Sequence, residues 1–252
     1  MISDSKRWMT LLLLLAAGLA HAGERLVIGV EDIYYLPLAN YEKGTYQGFA
    51  RELFDAFARD RGYTVEYRAL PVPRLYATFF AGQVDFKFPD NAYWKKEQRT
   101  RLTIHYSEPV ASFVDGTSVL PALRHAAAED IRQLGTLAGF TPWAWLDRIK
   151  AGGVKLSENT QLEALVRQAL TGRVDGVYAS VAVINYQLDK VLGMPGALVF
   201  NAALPHTRDT YHLATLTKPR VISEFNDWLR RNRDRVAALK LRHGVEKGVP
   251  GR

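Results

Sequence analysis

Residues 26–30 read Leu-Val-Ile-Gly-Val, an unbroken apolar run of the kind that a parallel sheet buries on both faces. Residues 34–48 are rich in aromatics and broken by Pro37 and Gly44, which predicts a loop. Apolar side chains then recur at helical spacing as Phe49, Leu53, Phe54, Phe57 and Ala58, with Gly62 placed to cap a helix over 49–61. A strand follows at 64–67, a short helix at 75–81 stopped by Gly82, and a strand at 84–88. The rhythm then restarts. A strand is expected at 134–138, a helix at 142–151 with Pro142 in its first turn, and a strand at 154–156. Leu162, Leu165, Val166 and Ala169 mark an amphipathic helix over 161–170, opened by Asn159-Thr160 and closed near Gly172. A strand at 174–178, a helix at 181–192 ended by Gly193 and a strand at 198–200 complete the second unit. From Pro219 a last helical region buries Val221, Ile222, Phe225, Trp228 and Leu229.

Strand–helix alternation of this kind predicts an α/β fold made of two units. Two extended segments, 111–120 and 211–216, are the candidate crossings between them. If the last helices return to the first unit, the chain crosses twice. A two-strand hinge then joins two lobes around a cleft that can close on a ligand.

The N-terminus sets the expected compartment. Lys6 and Arg7 precede the apolar run Leu11 to Leu15, and Ala20-His21-Ala22 offers small residues for cleavage, so residues 1–22 read as a signal peptide. The apolar run is short for a membrane span, which takes about 20 residues. With no Cys, a lipid anchor at a mature N-terminal Cys is excluded, as are disulfides, zinc-thiolate sites and Cys nucleophiles. The expected location is the periplasm. The net charge of +7 mildly favours anionic ligands or surfaces, but basic runs such as Arg230, Arg231, Arg233 and Arg235 alternate with Asn232 and Asp234 and read as a solvated helix face. No nucleic-acid partner is expected. The histidines show no metal spacing such as H-E-x-x-H, and no G-x-S-x-G elbow occurs, so no metal, cofactor or catalytic residue is assigned.

Several short motifs, taken in order, resemble one family. Tyr35-Leu36-Pro37-Leu38 is similar to its Y-x-P-F, and Gly48-Phe49 opens the first helix as in relatives. Ala81-Gly82-Gln83-Val84-Asp85 and Thr171-Gly172-Arg173-Val174-Asp175 resemble its g-x-v-D turns. Tyr106-Ser107-Glu108-Pro109 is similar to F-S-x-P, and Gly139-Phe140-Thr141 to a G-T-T turn. The chain thus resembles the family 3 extracellular solute-binding proteins, the polar-amino-acid receptors of ATP-driven importers, over nearly all of 24–245.

The resemblance implies the type II periplasmic-binding-protein fold, two α/β lobes joined by a two-strand hinge. Lobe 1 is expected at 23–112 plus 212–252 and lobe 2 at 113–211. It also implies a function: a monomer captures a small polar solute, an amino acid or related compound, and delivers it to the membrane permease of an ABC importer. A receptor that presents its ligand to a membrane sensor is the alternative, and a small-acid dehydratase on the same fold is a further one.

The same resemblance carries the candidate ligand-binding residues. Tyr35 matches the aromatic laid over the ligand; Tyr34, Tyr41 and Tyr46 compete for that part, and simple packing would also explain it. Thr141 matches a contact to the ligand carboxylate at a helix N-terminus, and a plain N-cap would equally select Thr. Asp90 and Asn91 follow the third strand, where open α/β sheets collect ligands. Asp90 suits a cation or a sugar hydroxyl, or forms an Asx turn.

Two positions depart from the pattern. Arg99 is the candidate carboxylate clamp, reached through a segment one residue longer than in relatives, with Arg101 as the alternative. Ser180 stands where relatives carry an ammonium-binding Asp, which leaves the amino-acid clamp incomplete and the solute's identity open. Arg74 is a second-tier contact for an anion. Of Trp143 and Trp145, at least one belongs to the core.

Overall fold

The computed structural model describes residues 23–249. The signal-peptide expectation for residues 1–22 lies outside the described residues. The strands are β1 (Arg25–Glu31), β2 (Tyr34–Tyr35), β3 (Ala39–Glu42), β4 (Thr45–Gln47), β5 (Thr64–Leu70), β6 (Phe86–Asp90) and β7 (His105–Tyr106). They continue with β8 (Ala111–Val119), β9 (Gln133–Leu137), β10 (Lys155–Asn159), β11 (Gly176–Ser180), β12 (Val199–Phe200) and β13 (Thr207–Thr215). The helices are α1 (Phe49–Arg61), α2 (Val72–Phe80), α3 (Leu146–Lys150), α4 (Leu162–Leu170), α5 (Val181–Tyr186), α6 (Pro219–Arg231) and α7 (Arg233–His243).

Two α/β halves repeat one plan. In the first, β1 lies between β5 and β6 in parallel register, and β13 joins the far side of β6 antiparallel. In the second, β9 lies between β10 and β11, parallel, and β8 joins β11 antiparallel. Each half therefore runs second strand, first strand, third strand, then an antiparallel strand that arrives from the other half. This order is the type II periplasmic-binding-protein topology. The antiparallel strands also pair with each other, from Thr207 opposite Asp115 to Tyr211 opposite Ala111, so both crossings run side by side.

The repeat extends to single atoms. At Gly29 of β1 an added Cβ would lie 2.7 Å from Leu75 Cδ1, and at Gly135 of β9 it would lie 2.7 Å from Leu165 Cδ1. In each half only glycine lets the helix approach its strand so closely. Asp85 accepts a hydrogen bond from Val27 N at 2.8 Å, and Asp175 accepts from Gln133 N at 2.7 Å. Both aspartates thus tie the start of the third strand to the start of the first, which explains the repeated v-D motif. Gly82 and Gly172 precede them at φ +68° and +69°, the left-handed conformation that ends each helix.

Local differences from the sequence expectation have physical causes. Residues 34–48 form a small antiparallel sheet, β2–β3–β4, because Lys43 and Gly44 both take positive φ and make a tight hairpin turn. The helix expected over 142–151 is broken into a 3₁₀ turn, Trp143–Trp145, and the short α3. Pro142 has a non-helical ψ of 72°, and Trp145 is pinned into the core by its indole N–H, which donates to Thr117 Oγ1 at 3.0 Å. Helix α2 begins three residues earlier than its apolar pattern, with Pro73 in its first turn.

The larger core sits under α1 and α6, where Phe54 meets Phe88 edge-on at 4.9 Å and Phe57 meets Phe225 at 5.0 Å. Among the described residues no helix is long and apolar enough to cross a membrane.

Candidate functional site

The carboxyl ends of β1 and β6 face the turn after β9, and a cleft opens between them. One wall carries Glu31, Tyr35, Tyr76 and Trp94; the other carries Gly139, Phe140, Thr141 and Trp143. The two crossing strands floor the cleft with Asp115 and Tyr211. Its enclosed volume is about 40 Å³. On that scale a water takes roughly 10–15 Å³, so the closed cleft holds about three waters or a small head group.

The two halves touch around it. Ser180 N donates to Tyr35 Oη at 3.0 Å, and the Tyr35 ring meets Phe140 edge-on at 5.4 Å. Gly139 has φ +85°, and a Cβ there would stand 3.2 Å from both Val72 Cβ and Pro73 Cδ. Aromatic stacking stiffens the floor: Tyr211 lies on Phe113 at 4.4 Å, with Trp94 against both rings at 6.1 and 5.9 Å.

Two carboxylates dominate the electrostatics. Glu31 is 8 % exposed and makes no hydrogen bond or ion pair among the described residues. Burial pushes its pKa up to about 7, against a smaller opposing effect of Lys87. Asp115 is half-buried, with part of its side chain toward the cleft, yet its Oδ1 is buried without a hydrogen-bond partner. Burial, then the charges of Glu31 and Asp209, push it up to about 7. Lys95 also lines the cleft, half-buried and at φ +52°, and lies beyond ion-pair distance of both carboxylates.

The residues singled out from sequence fall into three groups. Tyr35 and Thr141 line the cleft itself. Ser180 is buried beside it as the N-cap residue of α5, presenting its backbone N–H to Tyr35. Asp90, Asn91 and Arg99 lie behind the wall. The guanidinium of Arg99 grips Asp90 with both prongs, at 2.9 and 2.7 Å, and also donates to Tyr106 Oη at 2.7 Å.

Burial opposes the Arg99 charge, but the Asp90 hydrogen bonds and charge outweigh it and raise its pKa above the ordinary value. Lys87, wholly buried, adds its ammonium 3.4 Å from Asp90 and 4.3 Å from the centre of the Tyr76 ring. Asn91 donates to Thr210 O at 3.0 Å and accepts from Tyr93 N at 2.9 Å, tying the tip of β6 to a crossing strand. Arg74 lies on the exposed face of α2 and does not line the cleft. His212 in β13 bonds Ser107 O at 2.7 Å and Thr210 Oγ1 at 2.8 Å, a structural bridge. Of the two tryptophans, Trp145 is core and Trp143 faces the cleft.

Sequence reasoning passed over Glu31, Tyr76, Trp94, Lys95, Asp115 and Tyr211. For two of them a signal existed. Glu31 ends an apolar strand where ligands collect, and Asp115 is the one charge in the otherwise uncharged run Ala111–Val119. Among the described residues no group of three His, Asp or Glu side chains is placed to hold a metal ion.

No protein-family model matches the sequence, and a comparison with curated proteins finds no match. Solved structures do match in fold. An arginine-, lysine-, histidine-binding protein from Geobacillus stearothermophilus superposes with a TM-score of 0.69 at 16 % identity, covering 87 % of this chain and 95 % of that one. A histidine kinase sensor domain with similarity to periplasmic binding proteins gives 0.72 at 18 % identity over 88 % and 96 %. An ancestral amino acid-binding protein, described as a precursor of cyclohexadienyl dehydratase, gives 0.69 at 18 % identity over 93 % and 98 %.

Proposed function

We propose that this chain is an exported substrate-binding protein that closes on a small polar solute and passes it to the membrane permease of an ABC importer. The observation that carries the reading is the aromatic-walled cleft between two α/β halves that are joined along paired crossing strands. Several fold relatives are arginine- or other amino-acid-binding proteins, which supports a solute of that size and polarity.

In this reading residues 1–22 are removed on export to the periplasm, lobe 1 comprises 23–112 plus 212–252, and lobe 2 comprises 113–211. The hinge is the pair β8 and β13, and the protein works as a monomer. Tyr35 and Thr141 meet the solute. Asp90, Asn91 and Arg99 brace the wall behind it.

Binding a solute to the native state stabilises it by about 2.7 kcal/mol at a hundredfold excess over Kd. A thermal-shift panel of amino acids, amines, organic acids and sugars therefore reports the ligand, and small-angle scattering reports closure as a fall in radius of gyration. A protein that neither shifts with any member nor changes shape with an extract of small metabolites is not a solute receptor.

A second reading, a receptor that signals to a membrane sensor, is favoured by the likeness to a histidine kinase sensor domain. A sensor-kinase gene beside this one, in place of permease and ATPase genes, would select it. Turnover is a separate matter. Glu31 and Asp115 sit in a pKa range suited to acid–base work, so recovery of each bound ligand unchanged distinguishes capture from catalysis.

A further inference from the structure

Glu31 and Asp115 present a chemical demand that the rest of the cleft does not meet. A buried carboxylate without a partner is costly, and it is stabilised by a cation that leaves water with it. Glu31 is 8 % exposed and unpaired, and Asp115 holds a buried, unpartnered Oδ1. The first comes from the tip of β1 and the second from a crossing strand, so a guest between them touches one wall and the floor of the cleft.

The walls suit a cation as well. Tyr35, Tyr76, Trp94, Phe140, Trp143 and Tyr211 offer aromatic rings, whose faces attract ammonium and guanidinium groups. Tyr76 already receives the buried Lys87 ammonium, which shows the ring in that use.

An anion finds little. Among the described residues no arginine lines the cleft, and Arg99, behind its wall, has its guanidinium committed to Asp90, Tyr106 and the Trp94 carbonyl. Lys95 is the single cationic side chain in the lining, at a half-buried position.

We propose that the solute is an organic cation without a carboxylate, an amine or guanidine whose charged head sits between Glu31 and Asp115 in an aromatic enclosure. This rests on the solute-capture reading and narrows it. The enclosed volume fits a head group of a few heavy atoms and leaves a longer chain to run toward the open side of the cleft.

Proton linkage gives an independent signature. Each carboxyl must ionise to hold the cation, so affinity rises with pH through the range near 7. The groups facing Glu31 are Lys87 and Asp90, with the Tyr35, Tyr46, Tyr76 and Tyr211 hydroxyls around it. Those facing Asp115 are Glu31, Asp209 and the Tyr35, Tyr178 and Tyr211 hydroxyls. Lys95 stands nearby in the lining. Of these, Glu31 and Asp115 are the groups held near 7.

The test uses matched pairs that differ only by a carboxylate: agmatine against arginine, and cadaverine against lysine. Titration calorimetry on the purified protein at about pH 8 should show the decarboxylated member binding at least about tenfold tighter. Glu31→Gln and Asp115→Asn should each weaken it by about tenfold or more, and wild-type affinity should fall between about pH 8 and pH 5.5. If a variant does not fold, the wild-type pairs and the pH series decide alone.

Tighter binding of arginine or lysine overturns the inference, as does pH-independent binding. A sugar or a dicarboxylate that binds where the amines do not also overturns it, and leaves solute capture standing. A protein that binds none of these, carries no co-purifying small molecule and does not compact with metabolite extract loses both readings together.

Discussion

The third strands of the two halves, β6 and β11, occupy the same place in the same plan, yet their tips do opposite things. β6 ends at Asp90, whose charge is met inside its own half by Arg99 and Lys87. β11 ends at Ser180, which carries no charge and turns its backbone N–H across the cleft to Tyr35. One tip closes its half electrostatically; the other joins the halves. Equivalent topology fixes where a functional position lies, and the side chain there decides whether it supports a lobe or bridges two.

The sharpest way to break that contrast is to remove Arg99. Arg99→Ala leaves Asp90 buried with Lys87 alone, and breaking a buried pair from one side costs about 3–5 kcal/mol. Ser180→Ala keeps the backbone N–H that reaches Tyr35 and should cost less than about 1 kcal/mol. Urea unfolding of both variants checks the pair. Equal losses would mean that the two tips are not different in kind.

The second prediction concerns the carboxylates that no internal partner meets. Burial raises Glu31 from its ordinary 4.5 to about 7. A folded-state pKa above the unfolded one means that the native state binds the proton more tightly. The ionised side chain then destabilises the fold above about pH 7, and the penalty disappears as pH falls toward the unfolded value. Glu31→Gln should therefore stabilise the unliganded protein at about pH 8 by up to about 3 kcal/mol, and hardly at all below about pH 4.5. Melting curves of both proteins across that range test it, and a destabilisation by Glu31→Gln at about pH 8 would show that Glu31 is already paired.

These contrasts mark what the sequence could and could not convey. Helices α1 and α4 announce themselves by their apolar stripes, and the v-D turns are visible because Asp85 and Asp175 do the same local work twice. Tyr35 and Thr141 were legible because short motifs place them beside turns that meet across the cleft. The Asp90–Arg99 grip was not. The residues are nine apart across an irregular loop, and only the 3₁₀ turn Lys96–Arg99 swings the guanidinium back onto the strand tip. Glu31 and Asp115 were hidden for a related reason. A carboxylate in an apolar strand is conspicuous, but whether a lysine or arginine meets it depends on packing between segments far apart in the chain.

The smallest effect falls on the bridge itself. Tyr35→Phe keeps the ring against Phe140 and removes the one oxygen that accepts the Ser180 N–H. That N–H is buried at the closed interface and can regain water only when the halves part, so the loss weighs on the closed state alone. An unmade hydrogen bond of this kind costs about 1 kcal/mol, which shifts an equilibrium about fivefold. The variant should keep its resistance to urea, because neither half relies on the bridge for its own core. Its solute affinity should fall by about fivefold, and its unliganded radius of gyration should rise toward that of an open form. Scattering and calorimetry on Tyr35→Phe measure both quantities. If the affinity falls while the shape stays the same, the hydroxyl serves the solute directly and the closure rests on Gly139 and Phe140 instead.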